Sequence, residues 1–226
     1  MPRRRGNPLA LAVLSCLNER PMHPYEISTT LRTRGKENSI KLNYGSLYAI
    51  VESLQKYGLI RPRETSREGR RPERTVYEIT DAGVTEFEDW LADLLSTPVR
   101  EYTSLEAGLS LMLGLPPDEV ARLLSHRAEK LRTALRSLDA GLAEAAEQNL
   151  PHLVLIEEHY RRAILTAELD FVTGVAADIR SGRLPGVGTW RRVHELRATG
   201  TSWEEIERDP VAHLGEEGRI FAQENG

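Results

Sequence analysis

The stretch from Asn43 to Ile79 reads NYGSLYAIVESLQKYGLIRPRETSREGRRPERTVYEI, a short amphipathic helix running into an arginine-tipped hairpin. In its first half Leu47, Ile50, Val51, Leu54 and Tyr57 recur at steps of three and four, which places them on one apolar face of a helix. Asn43 suits the N-cap, and Gly58 stands where a left-handed C-terminal residue belongs. The opposite face carries Tyr44, Ser46, Tyr48, Ala49, Ser53, Gln55 and Lys56, with Glu52 as its only acid. A helix apolar behind and neutral-to-basic in front suits the DNA major groove, where each base pair shows its own donor and acceptor pattern.

The hairpin follows without a linker. Leu59 to Thr65 and Glu73 to Ile79 read as strands, the second with Thr75, Tyr77 and Ile79 alternating against Arg74, Val76 and Glu78. Between them SREGRRP supplies Gly69 for the turn and sets Arg67, Arg70 and Arg71 at the tip. Neighbouring guanidiniums repel each other, and phosphate oxygens relieve that repulsion in bidentate geometry. Helix plus basic wing reads as a winged helix-turn-helix.

The flanking residues complete the unit. Asn7 to Glu19 is an apolar helix built on Leu9, Ala10, Val13, Leu14 and Leu17. After a turn at Arg20-Pro21, HPYEISTTLRTRG gives a second helix with Pro24 in its first position and Ile27 and Leu31 facing inward. Residues 36–42 join it to the recognition helix. Thr80 caps a further helix whose stripe is Val84, Phe87, Leu91 and Leu94.

A net charge of −4 over 226 residues would, taken alone, argue against nucleic acid. Its distribution reverses that inference. Residues 1–82 hold fifteen Lys/Arg against nine Asp/Glu, a net of +6, whereas residues 83–226 hold fifteen against twenty-five, a net of −10. The basic head counts for binding, not the acidic whole. Arg3 to Arg5 read as a disordered arm or an extra phosphate contact. Cys16 is the only cysteine and sits in an apolar helix, where a small buried hydrophobe is expected rather than a redox sensor. With no signal-peptide pattern and no 20-residue apolar span, a soluble cytoplasmic protein is expected.

The second half is helical in every window. Thr103 and Glu106 have capping-box spacing and open a helix with Leu105, Leu109, Met112 and Leu113. Pro116-Pro117-Asp118 starts a longer helix, in which Ala128, Leu131, Leu135, Leu138, Leu142 and Ala145 recur at alternating steps of three and four. That is a heptad seam. After the break at Asn149-Leu150-Pro151 another helix carries Leu153, Ile156, Tyr160, Ile164, Ala167 and Phe171. Two long antiparallel helices with such seams need a partner to complete a core. Beyond RSGRLPGVGTW, Ser202 and Glu205 again have capping-box spacing. Trp190, Trp203, Ile206 and Phe221 are too apolar for a simple flexible tail; a small helical unit folded onto the body is expected, or a segment that folds on a partner.

Chemistry-bearing sets are sparse. His152 and His159 flank Glu157-Glu158, but seven residues of helix separate them by about 10.5 Å, and no zinc-type set accompanies them. No phosphate-binding glycine loop or nucleophile elbow is found. No cofactor, no metal and no enzyme activity are expected.

The strings HPYEI, YGSLYAIVESLQKYGLI and GRRPERTVYEITDAG resemble the PadR family of bacterial transcriptional regulators, over roughly residues 8–95. From about Thr103 to Arg180 the helix pattern resembles the C-terminal domain of the longer PadR branch. The resemblance implies a mainly α fold with a small β-hairpin wing: a winged helix-turn-helix DNA-binding domain at 1–98 and a helical dimerisation domain at 99–185; residues 186–226 match nothing in the family and are expected to form an extra segment of short helices. The resemblance makes the missing partner a second copy, so Leu131, Leu135, Leu138 and Leu142 are assigned to a homodimer seam. Two heads would then read an inverted repeat with half-sites about one turn, roughly 34 Å, apart. The DNA contacts expected are Tyr25, Asn43, Tyr44, Gly45, Ser46, Tyr48, Lys56, Arg67, Arg70, Arg71 and Arg74. Some relatives respond to aromatic compounds, which makes Trp90 and Tyr102 candidate ligand contacts, though packing alone would also account for Trp90. The function implied is a repressor released by a small-molecule effector. A protein-binding winged-helix adaptor, or an activator, are the alternatives.

Overall fold

The computed structural model describes residues 7–40, 44–66 and 74–219. Arg3–Arg5, Asn43, the wing-tip residues Arg67, Arg70 and Arg71, and Phe221 lie outside them. The chain divides into two compact units, residues 1–100 and 101–226.

In the first unit α1 (Pro8–Glu19) starts at Asn7, whose side chain accepts from the Leu9 N–H. Leu9, Leu11, Ala12, Val13, Leu14, Cys16 and Leu17 are all buried, so this helix is enclosed on nearly every side. Around it pack α2 (Pro24–Thr33), α3 (Tyr44–Lys56) and α4 (Asp81–Ser96). Burial pushes the Cys16 thiol above its usual range, since the thiolate would be desolvated. In α2, Pro24 occupies the first turn as expected, and His23 caps the helix in a reciprocal box with Glu26. A histidine at this position carries no sequence signal for a cap.

Helix α3 closes on a Schellman motif. Gly58 adopts φ 70°, its N–H donates to Gln55 O, and the Leu59 N–H donates to Leu54 O. That geometry corrects two expectations. Tyr57 is exposed, because the helix ends before it and Leu59 takes its place in the core. The first strand, β1, therefore begins one residue late, at Ile60–Ser66, opposite β2 (Arg74–Ile79). The two pair antiparallel from Ile60↔Ile79 to Ser66↔Arg74, with a bulge between Pro62 and Glu64. Proline cannot donate to a ladder, and it is tolerated here because β1 is the outer strand. The inner strand β2 has a second neighbour that periodicity did not reveal: Met22 and Tyr77 exchange both backbone hydrogen bonds at 3.0 Å.

On α4 the stripe is also shifted. Leu91 and Leu94 are exposed, while Trp90, placed beside the stripe, is only 6% exposed. The helix start is locked to the turn after α3. Thr80 donates from its backbone to Leu59 O and from its hydroxyl to Gly58 O, and it caps Gly83 N–H at 3.1 Å.

The second unit is helical throughout its described residues: α5 (Ser104–Ser110), α6 (Pro117–Glu147), α7 (Ile156–Ser181), α8 (Val187–Ala198), α9 (Trp203–Arg208) and α10 (Pro210–Leu214). Helix α6 ends at Asn149, the one described non-glycine residue with positive φ, 55°. It then folds back so that α6 and α7 pack antiparallel. Arg127–Glu168 and Asp139–Arg162 ion pairs, each at 2.6 Å, sit along the contact and report its register. The core between them contains Val120, Leu124, Ala128 and Leu131 of α6 against Val172, Ala176 and Ile179 of α7. Val187 and Trp190 of α8 join the same cluster. Arg191 binds Asp118 at 2.8 Å and Ile179 O at 3.1 Å, so α8 is fastened to both long helices.

Gly83 gives the sharpest test of the first unit. A Cβ there would overlap the Leu59 carbonyl oxygen and come within 2.7 Å of Ile79 Cγ1. Gly83→Ala is expected to destabilise by roughly 1–3 kcal/mol, as overpacking does. For a domain of this size that lowers Tm by about 4–8 °C per kcal/mol. A calorimetric Tm within the error of wild type would show that the α3–β1 turn gives way freely.

Candidate nucleic-acid interface

Helix α3 divides its residues between core and solvent. Leu47, Ile50, Val51 and Leu54 are buried against α1 and its neighbours, while Gly45, Tyr48, Ala49, Glu52, Ser53, Gln55 and Lys56 are exposed and Ser46 is half-buried. Burying the apolar row leaves the other row no choice but to face outward, so the face expected to read DNA is the one left accessible. Tyr25, on α2, is also exposed. Tyr44 and Arg74 belong to described elements, but their side chains do not; Asn43 and Arg67, Arg70 and Arg71 lie outside the described residues, as noted above.

Four acids of this unit, Glu19, Glu26, Glu37 and Glu78, are engaged away from α3. Arg34 grips Glu19 through two bonds of 2.5 and 2.7 Å, which hold the Glu19 carboxyl below the usual carboxylate range. Arg20 pairs with Glu26 and Arg32 with Glu37, both at 3.5 Å. At the base of the hairpin Glu78 sits between Arg61, at 2.7 Å, and Arg63, at 3.7 Å. Exposed pairs such as these add little stability. Their electrostatic effect is different: they occupy acids that could otherwise offset Lys56 and the positive wing. Lys56 itself has no ion pair among the described residues.

The remaining expected contacts separate. Trp90 belongs to the first unit and is buried; Tyr102 belongs to the second and is 81% exposed. On α6 the seam residues differ among themselves. Leu131 is buried in the core shared with α7, and Leu135, Leu138 and Leu142 are half-buried. A heptad pattern identifies an apolar face without saying what covers it, and in this chain α7 covers much of that face. The stripe left uncovered is on α7: Ile156, Tyr160, Ile164 and Phe171 are each at least half exposed, with Tyr160 at 70%. Leu153, in the turn before α7, continues it.

His152 also lies in that turn rather than in the helix, so the two histidines are not separated by two helical turns as expected. Their rings stack with centroids 4.0 Å apart. Stacking sets ring faces together, not ring nitrogens around a common point. Among the described residues no group of three or more His, Cys, Asp or Glu could hold a metal ion. Nor is any helix among them long and apolar enough to cross a membrane.

No curated protein matches the chain. Among solved structures, Bacillus subtilis PadR in complex with operator DNA is similar at 19% identity and TM-score 0.58, covering 76% of this chain and 98% of that one. The Vibrio cholerae virulence activator AphA is similar at 16% identity and TM-score 0.56, with 76% and 98% covered. Bacillus subtilis PadR in complex with p-coumaric acid is similar at 18% identity and TM-score 0.51, with 73% and 98% covered. At these identities the likeness is one of fold: mainly helical with a small antiparallel hairpin. The match at the level of sequence is narrower and more specific, to the family described as transcriptional regulator PadR-like, and it spans α3, both strands and most of α1 and α4. The residues matched to that family are 13–89.

Proposed function

We propose that this protein is a cytoplasmic, homodimeric DNA-binding repressor that occupies an inverted repeat and is released by a small-molecule effector. The observation that carries the reading is α3: a helix whose apolar row is fully committed to a core and whose outward row carries tyrosine, serine, glutamine and lysine. That row offers donors, acceptors and one cation at the height of base edges. Because one such head makes few base contacts, two must act together, and a twofold dimer supplies the second. The exposed α7 stripe supports a second copy as its cover, since monomers seldom leave a long contiguous apolar face to water. The proposed seam thus moves from α6 to α7. The operator-bound and p-coumarate-bound Bacillus subtilis PadR structures lend this scheme a structural parallel. Release needs only a change in spacing between two heads, because a displaced second head forfeits the paired-site advantage.

Footprinting upstream of the protein's own gene supplies the operator for the tests. Ser46→Ala and Tyr48→Ala are expected to erode discrimination between that operator and scrambled DNA, by about 1–3 kcal/mol per lost base contact. Fluorescence anisotropy reads this directly, and wild-type discrimination in both variants would remove α3 as the reading element. The wing acts on all sequences alike. Arg70→Ala with Arg71→Ala removes four phosphate contacts per dimer and should flatten the log–log salt dependence by roughly 3 to 4 units; an unchanged slope means the tip touches no phosphate.

The interface is tested by contrast. Ile164→Glu sets a charge in the middle of the α7 stripe and is expected to give a folded monomer by light scattering, with operator affinity falling in step. Leu131→Glu, inside the α6–α7 core, is expected to unfold the second unit instead. A dimeric Ile164→Glu protein would show that the stripe is not the interface.

A further inference from the structure

The second unit holds a cavity of about 900 Å³, near the upper end of the size of small-molecule sites. Its walls come from the short turn after α5, from the α7–α8 turn and α8, and from Trp203 of α9, with Leu113, Leu184, Val187 and Trp190 supplying apolar surface. Trp190 is buried at the back, and Trp203 is 40% exposed.

The polar groups of the lining narrow what it can hold. The Trp190 indole N–H already donates to Leu115 O at 2.9 Å, and His194 Nε2 is engaged with Leu113 O at 2.9 Å. The Thr189 hydroxyl donates to Glu217, the one acid in the wall, which keeps its charge. These contacts engage the indole N–H, the His194 Nε2 and the threonine hydroxyl within the protein. One cation of the lining has no ion partner. Of the α8 arginines, Arg191 is paired with Asp118 and Arg192 with Glu195, but Arg197 has no ion pair among the described residues. Arg197 lines the cavity. An apolar chamber with a single uncommitted guanidinium is complementary to a hydrocarbon body bearing one anionic head, because a carboxylate meets the planar donor fork in bidentate geometry.

We propose that this cavity is a binding site for an amphipathic monocarboxylate, with the hydrocarbon body against Trp190 and Trp203 and the carboxylate on Arg197. The site is built from one chain and owes nothing to DNA contact, so it goes beyond the operator reading and stands or falls separately from it.

The test is calorimetric titration of the full chain, without DNA, using decanoate, decanol and decyltrimethylammonium as probes of equal chain length. Decanoate is expected to bind saturably, once per chain, roughly tenfold more tightly than decanol, as one charge-assisted pair allows. The ammonium should bind most weakly. Arg197→Gln is expected to bring decanoate down to the decanol level while leaving decanol unchanged. Trp203→Ala should weaken both. Should Trp203→Ala fail to fold, Leu113→Glu replaces it: Leu113 is exposed, and an acid in the wall should weaken decanoate more than decanol. Tighter binding of the ammonium would reverse the charge assignment and overturn the proposal. So would equal affinity for all three probes, or an Arg197→Gln protein that keeps wild-type affinity for decanoate. Absence of saturable binding, as expected if a second copy or another part of the chain fills the cavity, would overturn it too.

Discussion

The first unit depends on the enclosure of α1. Its buried leucines and valine each contribute roughly 1.5–3 kcal/mol through loss of water contact, and they point in all directions rather than along one stripe. A helix of this kind cannot lie on a surface. It forces α2, α3, α4 and the hairpin to assemble around it, because each must bury its own apolar row and α1 is the shared wall. The outward face of α3 is a by-product of that requirement. Its rotation about its own axis is set by Leu47, Ile50, Val51 and Leu54, none of which would touch DNA, so the presenting residues are positioned by the ones behind them.

Backbone bonds then tie the wing to this core. The Met22–Tyr77 pair holds β2 against the turn between α1 and α2, and Leu59 O receives the Thr80 N–H where β1 begins. Gly83 lies against that same carbonyl. The base of the hairpin is thus held from two sides. Glu78 is consumed at the base by Arg61 and Arg63, and Glu19 by Arg34, at sites where the arginines serve structure.

Local chemistry made much of this legible in the sequence. Thr80, Thr103 and Ser202 are helix caps because a short polar side chain reaches a free N–H, and all three behave so. Gly58 is left-handed because little else tolerates that conformation at low cost. The His23 cap was not legible, since histidine is no habitual N-cap, and neither was the Met22–Tyr77 bridge, which joins residues distant in sequence. Tyr57 was placed inside because periodicity continues past the point where the backbone stops being helical. What covers the α6 seam was not legible either, and the cause is more general. Period tells which residues share a face, but two seams in tandem have two solutions: each against the other, or one inward and one outward. Ion pairs such as Arg127–Glu168 report the register in which α7 packs on α6, and they join residues forty-one apart, beyond the reach of any window.

The C-terminal segment illustrates how a few side chains convert an appendage into part of a domain. Trp190 and Val187 enter the core of α6 and α7, and Arg191 reaches both the Asp118 carboxylate and the Ile179 carbonyl near the two helix ends. Burial of an indole with its N–H satisfied is among the larger single gains available to so short a segment. Yet α8 to α10 are too short to close around what they cover. A long helix packed on a long helix fills its groove residue by residue; short helices meeting at angles leave space where their ends diverge. The cavity beside Trp190 is the geometric consequence, and the nitrogens that hold α8 in place at its wall are engaged within the protein, the indole N–H with the Leu115 carbonyl and the His194 Nε2 with that of Leu113.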